Sequence, residues 1–229
     1  MDGVDLYMAA IVLHGVIKSF GERKVLDRID LSIERGRFTS LLGDSGSGKT
    51  TILRLIAGLE YPDAGEIFID NRLASEGNRV SIPPRDRGVG FIFQDLALWP
   101  HLTAFENIAF GLRVQGTKYV KKKVMEMANL LGLNERLLDN YPDELSGGQQ
   151  QLVAIARSLI VKPSILLMDE PFSSLDVHLK QRMYDMLKSL LNDLSITVVY
   201  VTHDHEEACY LSDEIFYLEE GRISGKRVC

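Results

Sequence analysis

The chain predicts an α/β fold with a mixed β-sheet core, an antiparallel β subdomain at its N-terminal side, and an inserted helical subdomain. Three observations carry this. Short apolar strands alternate with helical patterns on both sides of the middle of the 229-residue sequence. From about 94 to 162 the pattern favours helices instead. Beyond it, SILLMDE (164–170) and ITVVYVT (196–202) are apolar runs, and ITVVYVT is nearly continuous, as a strand covered on both faces must be. One domain is expected, with core segments 1–93 and 163–229 around the insert.

The elements follow in order. IVLHGVIK (11–18) and KVLDRIDLSI (24–33) read as strands around the turn-like GER, and RFTSLLG as a core strand feeding a glycine-rich loop. A helix over 50–59 stops near Gly58. GEIFID is a strand, followed by a polar loop with Pro83 and Pro84, and GVGFIF is another short strand. In the insert, KKKVMEMANLLG is helical. In the segment 148–160, Leu152, Ala156 and Leu159 recur at helical spacing beside Val153, Ile155 and Ile160. After SILLMDE, Leu179, Met183, Met186, Leu187 and Leu190 mark an amphipathic helix. EIFYLEEGRI (214–223) reads as a terminal hairpin.

Composition narrows the class. With 45% hydrophobic and 25% charged residues the chain resembles an ordinary globular domain able to bury a core. Its net charge of -6 argues against nucleic acid as the main partner. No window approaches eighteen uncharged apolar residues, about the least that spans a bilayer. The start, MDGVDLYMAAIVLHG, carries Asp2 and Asp5 rather than a basic run and reads as a terminal strand, not a secretion signal. Cys209 and Cys229 make neither a disulfide framework nor a metal-binding spacing, which suits a reducing cytosolic compartment.

Gly43, Gly48, Lys49 and Thr50 satisfy G-x-x-x-x-G-K-[ST] between an expected strand and an expected helix. Across Gly43, Asp44, Ser45, Gly46, Ser47, Gly48, Lys49, Thr50 and Thr51, small residues let backbone N–H groups turn inward around phosphate oxygens. The helix start adds its own free N–H groups. Lys49 would reach the terminal phosphates of a nucleotide, and the Thr50 hydroxyl would coordinate Mg²⁺. In ILLMDEP an apolar strand delivers Asp169 and Glu170 to its carboxyl end. Asp169 can hold the Mg²⁺ hydration shell, and Glu170, on another face, can polarise an attacking water. Alone, the pair also reads as a solvated acidic turn; beside the phosphate loop the catalytic reading is stronger.

With these residues in place, the chain resembles the nucleotide-binding subunit of an ATP-binding-cassette (ABC) transporter over nearly its whole length. LSGGQ at 145–149 is the most specific feature. The resemblance implies a P-loop NTPase with a RecA-like core that binds and hydrolyses ATP with Mg²⁺. It also implies that Ser146, Gly147, Gly148 and Gln149 face the γ-phosphate held by a second subunit, although SGG also suits a helix cap. Phe20 matches the aromatic residue that stacks on adenine, with a core phenylalanine as the alternative. Gln94 matches the glutamine linking Mg²⁺ and water to the helical lobe. Ser174, Leu175 and Asp176 match the loop that crosses the dimer interface. His203 matches the switch histidine near the γ-phosphate and the catalytic glutamate.

The implied mechanism is ATP-driven closure of two subunits over two ATP molecules, reopened by hydrolysis. RDRGVGFIFQDLALWPHLTAFENIAFGL looks importer-associated, which implies a separate transmembrane permease, an extracytoplasmic solute-binding protein and a peripheral place on the cytoplasmic face of the membrane. Trp99, Pro100 and His101 suit a permease contact, with core packing equally open for Trp99. No direct nucleic-acid partner is expected. Alternatives are a membrane ATPase for lipoprotein release or cell division, and a soluble cassette protein of translation or DNA repair.

The chain departs from the pattern in places. Leu152 stands where the resembling pattern has arginine, so altered coupling is expected. Asp44 occupies a common proline position and is expected to point outward. His205 replaces a frequent glutamine and reads as exposed.

Overall fold

The computed structural model describes residues 9–173 and 175–229. Strands β1 (Ala9–Phe20) and β2 (Arg23–Glu34) form an antiparallel hairpin, turning at Gly21, whose φ of 59° suits glycine. Next come β3 (Phe38–Leu42) and helix α1 (Lys49–Ala57), which ends on Gly58 with φ 76°. Strands β4 (Ala64–Ile69), β5 (Arg72–Glu76) and β6 (Arg79–Val80) complete a five-stranded sheet in the order β2-β1-β4-β5-β6.

The polar loop expected after β4 is therefore corrected in part: its first half is a meander at the sheet edge. Asp70 and Asn71 both have positive φ, 49° and 61°, the conformation a two-residue hairpin turn demands. Arg72–Glu76 lacks clean apolar alternation, which hides it from periodicity.

The second sheet is the core. Its strands are β3, β7 (Val89–Ile92), β8 (Ile165–Asp169), β9 (Thr197–Thr202), β10 (Glu214–Glu219) and β11 (Arg222–Val228), ordered β11-β10-β3-β9-β8-β7. All neighbours are parallel except the terminal hairpin β10–β11. β8 shows why its run is apolar throughout. Ile165 and Leu167 enter the core shared with α1 and the antiparallel sheet, while Leu166 and Met168 enter the core shared with the helices. Truncating such a side chain, as in Leu167→Ala, costs about 2–5 kcal/mol.

Between β7 and β8 the longer elements are helices, α2 (Ala104–Val114), α3 (Val120–Leu130) and α4 (Gly147–Leu159). Thr103 and Glu106 close a reciprocal capping box at the start of α2. Helix α5 (Val177–Leu194) follows β8, and a short α6 (His205–Leu211), which periodicity does not reveal, follows β9. One continuous apolar cluster joins α2, α3, α4 and α5 to Leu166, Met168, Val198 and Tyr200 of the core sheet. No described helix is long and apolar enough to cross a membrane. The terminal-strand reading of the first eight residues lies outside the described residues.

Arg87 ties the end of α1 to β5 of the antiparallel sheet. Its guanidinium, buried, donates to the carbonyls of Leu55 (3.0 Å) and Ile56 (2.7 Å) at the end of α1, to Ala74 O (2.9 Å), to Ser75 Oγ (2.7 Å) and to Ile82 O (2.8 Å). Burial pulls its pKa down to about 10, so it stays charged at neutral pH.

Candidate active site

The strand ends and the β3–α1 loop converge on a cleft of about 460 Å³, lined by Phe20, Arg23, Val25, Ser45, Gly46, Gly48, Lys49, Thr50, Thr51, Gln94, Glu170 and His203. The loop geometry depends on small residues. Gly48 has φ 109°, and a Cβ there would lie 2.6 Å from the Leu26 side chain, so the α1 N-terminus can open toward the cleft only with glycine. Lys49 is buried and donates to Gly43 O at 2.6 Å and Asp44 O at 2.8 Å. Desolvation lowers its pKa, against the opposing charges of Glu170, Asp169 and Asp44. The ammonium thus rests on loop carbonyls, from which a phosphate would draw it. Asp44 is exposed and lines the neighbouring groove rather than the cleft.

Asp169 ends β8 and accepts from Thr50 Oγ1 at 3.0 Å. Burial raises its carboxyl pKa, against the hydrogen bond from Thr50 and the charges of Arg54 and Lys49. A hydroxyl, a carboxylate and the Gln94 amide form a hard oxygen set that fits Mg²⁺, an ion that keeps several waters and needs few protein ligands.

Glu170 adopts φ 41°, unusual for a side-chain-bearing residue; its N–H donates to Val201 O at 3.0 Å. This twist sends it away from Asp169 toward β9. His203 Nδ1 lies 3.0 Å from Glu170 Oε2. An ionised carboxylate only accepts, so Nδ1 is the donor in this contact. Phe20 is 46% exposed at the cleft, which rules out the core alternative.

The structure does not bring the other sequence-predicted residues into this cleft. Ser146, Gly147, Gly148, Gln149 and Asp176 are absent from its lining. Ser146 caps α4: its N–H donates to Gln149 Oε1 (2.9 Å), and Gln149 N–H donates back to Ser146 Oγ (3.4 Å). Gly148 packs so close to α5 that a Cβ would lie 2.7 Å from Leu179 Cδ2. Asp176 accepts from Leu179 N–H at 3.0 Å, capping the start of α5. Ser174 lies outside the described residues.

Three residues escaped sequence reasoning. Arg23 borders the cleft, its Nη2 3.7 Å from where a Gly46 Cβ would sit. Arg157 of α4 donates to Leu96 O (2.7 Å) and Ala97 O (2.6 Å) in the loop after Gln94. It also lies 4.8 Å from the Trp99 ring, whose centroid is 4.4 Å from that of the tilted Phe110 ring. Trp99 is half-buried, neither core nor free surface. Glu207, buried on α6, accepts from the hydroxyls of Tyr184 (2.7 Å), Tyr200 and Thr202, while Thr202 Oγ1 accepts from Asp204 N–H at 3.0 Å. The turn bearing His203 is thereby fixed. The sequence signal for Arg157 was a cation on an apolar helix; Glu207 had none.

Comparison with known proteins supports the same reading. The ABC transporter family model matches residues 26–173. "Probable sulfate/thiosulfate import ATP-binding protein CysA" of Chlorella vulgaris is 45% identical over 93% of this chain and 89% of its own length. The "Spermidine/putrescine import ATP-binding protein PotA" of Shigella boydii is 47% identical over 93% of this chain, which spans 55% of that protein. The Fe(3+) ions import ATP-binding protein FbpC of Pasteurella multocida is 44% identical over 94% of this chain, which spans 61% of it. Among solved structures, the dimeric MJ0796, a bacterial ABC transporter cassette, superposes with a TM-score of 0.84 at 36% identity, over 95% of this chain and 98% of that one. The fold is that of a RecA-like P-loop ATPase with a helical subdomain. The chain belongs to the ABC transporter family, as its ATP-binding and ATP-hydrolysing subunit.

Proposed function

We propose that two copies of this chain close over two ATP molecules and energise uptake of a small solute or ion through a separate permease. One observation carries the reading: the cleft holds the phosphate loop, Glu170 and His203, while Ser146, Gly147, Gly148 and Gln149 stand outside it, with Ser146 and Gly147 exposed. Half of an ATP site is present on each of two surfaces, so a second copy completes it. The superposable MJ0796 structure is described as dimeric, which supports this.

In this reading Phe20 stacks on adenine, and the loop from Gly43 to Thr51 wraps the phosphates with Lys49 on the terminal ones. Thr50, Asp169 and Gln94 hold Mg²⁺, which neutralises phosphate charge when bound. Glu170 orients and polarises water, and His203, hydrogen-bonded to it, aims its second nitrogen at the γ-phosphate. From the partner subunit the capped N-terminus of α4 presents backbone N–H groups to the same phosphate, with Asp176 at the shared edge. Loss of that phosphate removes the bridge and favours reopening.

The names of the relatives span sulfate/thiosulfate, iron(III) and spermidine/putrescine, so what these chains share is the ATPase rather than a solute site. The permease would seat near Trp99, where Arg157 ties the loop after Gln94 to α4. A solute-binding protein outside the membrane would deliver the cargo, and this chain would sit peripherally on the cytoplasmic face. Affinity isolation from membranes, followed by reconstitution of the copurified permease in vesicles, tests the assignment. ATP-dependent solute uptake is expected; a stable ribosome or DNA complex with no permease would contradict it.

A further inference from the structure

The chain's two cysteines are free thiols, Cys209 and Cys229, and the fold brings them together. Cys209, on α6, packs with Tyr217 against Leu42, Ala208 and Ile215. Arg227 Nη1, from the last strand, donates to Cys209 Sγ at 3.7 Å. The β10–β11 ladder continues past Val228, because Cys229 N–H donates to Asp213 O at 2.9 Å. Side chains alternate along such a ladder, so Cys229 leaves the backbone on the same face as Arg227. Burial, and the neighbouring Cys209, push the Cys229 thiol up. One helical turn before Cys209, His205 Nδ1 lies 3.5 Å from the sulfur, and its other nitrogen lies 3.4 Å from the Tyr217 hydroxyl.

This is an asymmetric pair. An imidazole nitrogen of His205 and the guanidinium of Arg227 both lie within reach of the Cys209 sulfur, and the thiolate is the attacking species in disulfide exchange. Cys229, on the same face of the ladder as Arg227, is the candidate resolving thiol. The pair also has leverage on the ATPase, since α6 begins at His205, directly after the turn that presents His203, and is anchored there by Glu207.

We propose that Cys209 and Cys229 form a reversible intramolecular disulfide, with a low-molecular-weight disulfide such as glutathione disulfide as oxidant, and that its closure slows ATP turnover through α6. The Cys209 thiolate attacks one sulfur of glutathione disulfide and expels one glutathione thiolate. The Cys229 thiolate then attacks the Cys209 sulfur of the mixed disulfide and expels the second. Two electrons pass from the protein thiols to glutathione, which leaves as two thiols carrying the two protons released. Thiol reductants reverse the exchange.

Disulfide formation can be read without ATP. The purified chain is incubated with glutathione disulfide, alkylated and weighed intact. Wild type is expected to lose two hydrogens and escape alkylation at both sulfurs. Cys229→Ser should instead stop at one bound glutathione on Cys209. ATP turnover of the oxidised wild type should fall several-fold and recover with dithiothreitol, while Cys209→Ser and Cys229→Ser keep their rates. Two alkylatable thiols, a disulfide between two chains, or an internal disulfide with unchanged turnover would each overturn the proposal.

Discussion

The His203 imidazole donates through Nδ1 to Glu170 Oε2 at 3.0 Å, and the two residues reach each other from the ends of neighbouring strands, β9 and β8. Glu170 meets it by taking φ 41°, and His203 is held by the turn that Thr202, Asp204 and Glu207 fix. If this contact organises the attacking water, His203→Ala should lower kcat by about 10²-fold with a smaller effect on the KM for ATP. Steady-state phosphate release checks it; an unchanged kcat removes His203 from the site.

Glu207→Gln separates positioning from catalysis. The amide keeps the shape but can no longer accept at both ends, which leaves one buried hydroxyl short of its acceptor at a cost of about 1–3 kcal/mol. The variant should lose thermal stability and part of kcat, while nucleotide affinity, measured by calorimetry, stays near wild type.

Asp169 gives a pH prediction of uncommon sign. Its pKa is raised in the fold by burial, so the native chain binds this proton more tightly than the unfolded chain. The contribution of Asp169 to stability therefore falls as pH rises from the unfolded value through the folded one, and at neutral pH the buried charge is a net cost. Asp169→Asn should therefore raise the Tm of the nucleotide-free chain at pH 7. The gain should vanish at acid pH, and ATP hydrolysis should be lost throughout. Calorimetric melts at both pH values decide the sign.

Leu152 is half-buried and packs against the helical core, on the helix whose first residues face the partner in the proposed dimer. Leu152→Arg should change the ATPase rate or the ATP-driven dimerisation while leaving ATP affinity intact. Equal rates and equal dimerisation would sink the idea that this residue tunes coupling.

The sequence made the core legible where physical demands were strongest. Strands buried on both faces need unbroken apolar runs, so Ile165–Asp169 and Thr197–Thr202 stood out; a phosphate cradle needs Gly48 and Lys49 at fixed spacing. The edge meander Arg72–Val80 and the short α6 did not stand out, because neither carries an uninterrupted apolar period. Candidate site residues in contiguous motifs could be named from the sequence, whereas Arg23, Arg157 and Glu207 are placed by contacts between segments far apart in sequence. Arg157 meets Leu96 and Ala97 only because α4 folds back on the loop after Gln94. The Cys209–Cys229 neighbourhood has the same origin: spacing along the chain says nothing of it, and the β10–β11 ladder creates it.

In the proposed dimer each chain holds only half of an ATP site. Glu170→Gln retains the phosphate loop and removes the carboxylate that polarises water, so ATP should be bound and not consumed. Light scattering behind size-exclusion chromatography then reads the assembly directly. Monomer is expected without nucleotide and a stable dimer with ATP, and the dimer should be lost when Ser146→Arg is added to block the α4 N-terminus. A Glu170→Gln chain that binds ATP yet remains monomeric, or that hydrolyses ATP at the wild-type rate, would rule out a site shared between two chains with Glu170 at its centre.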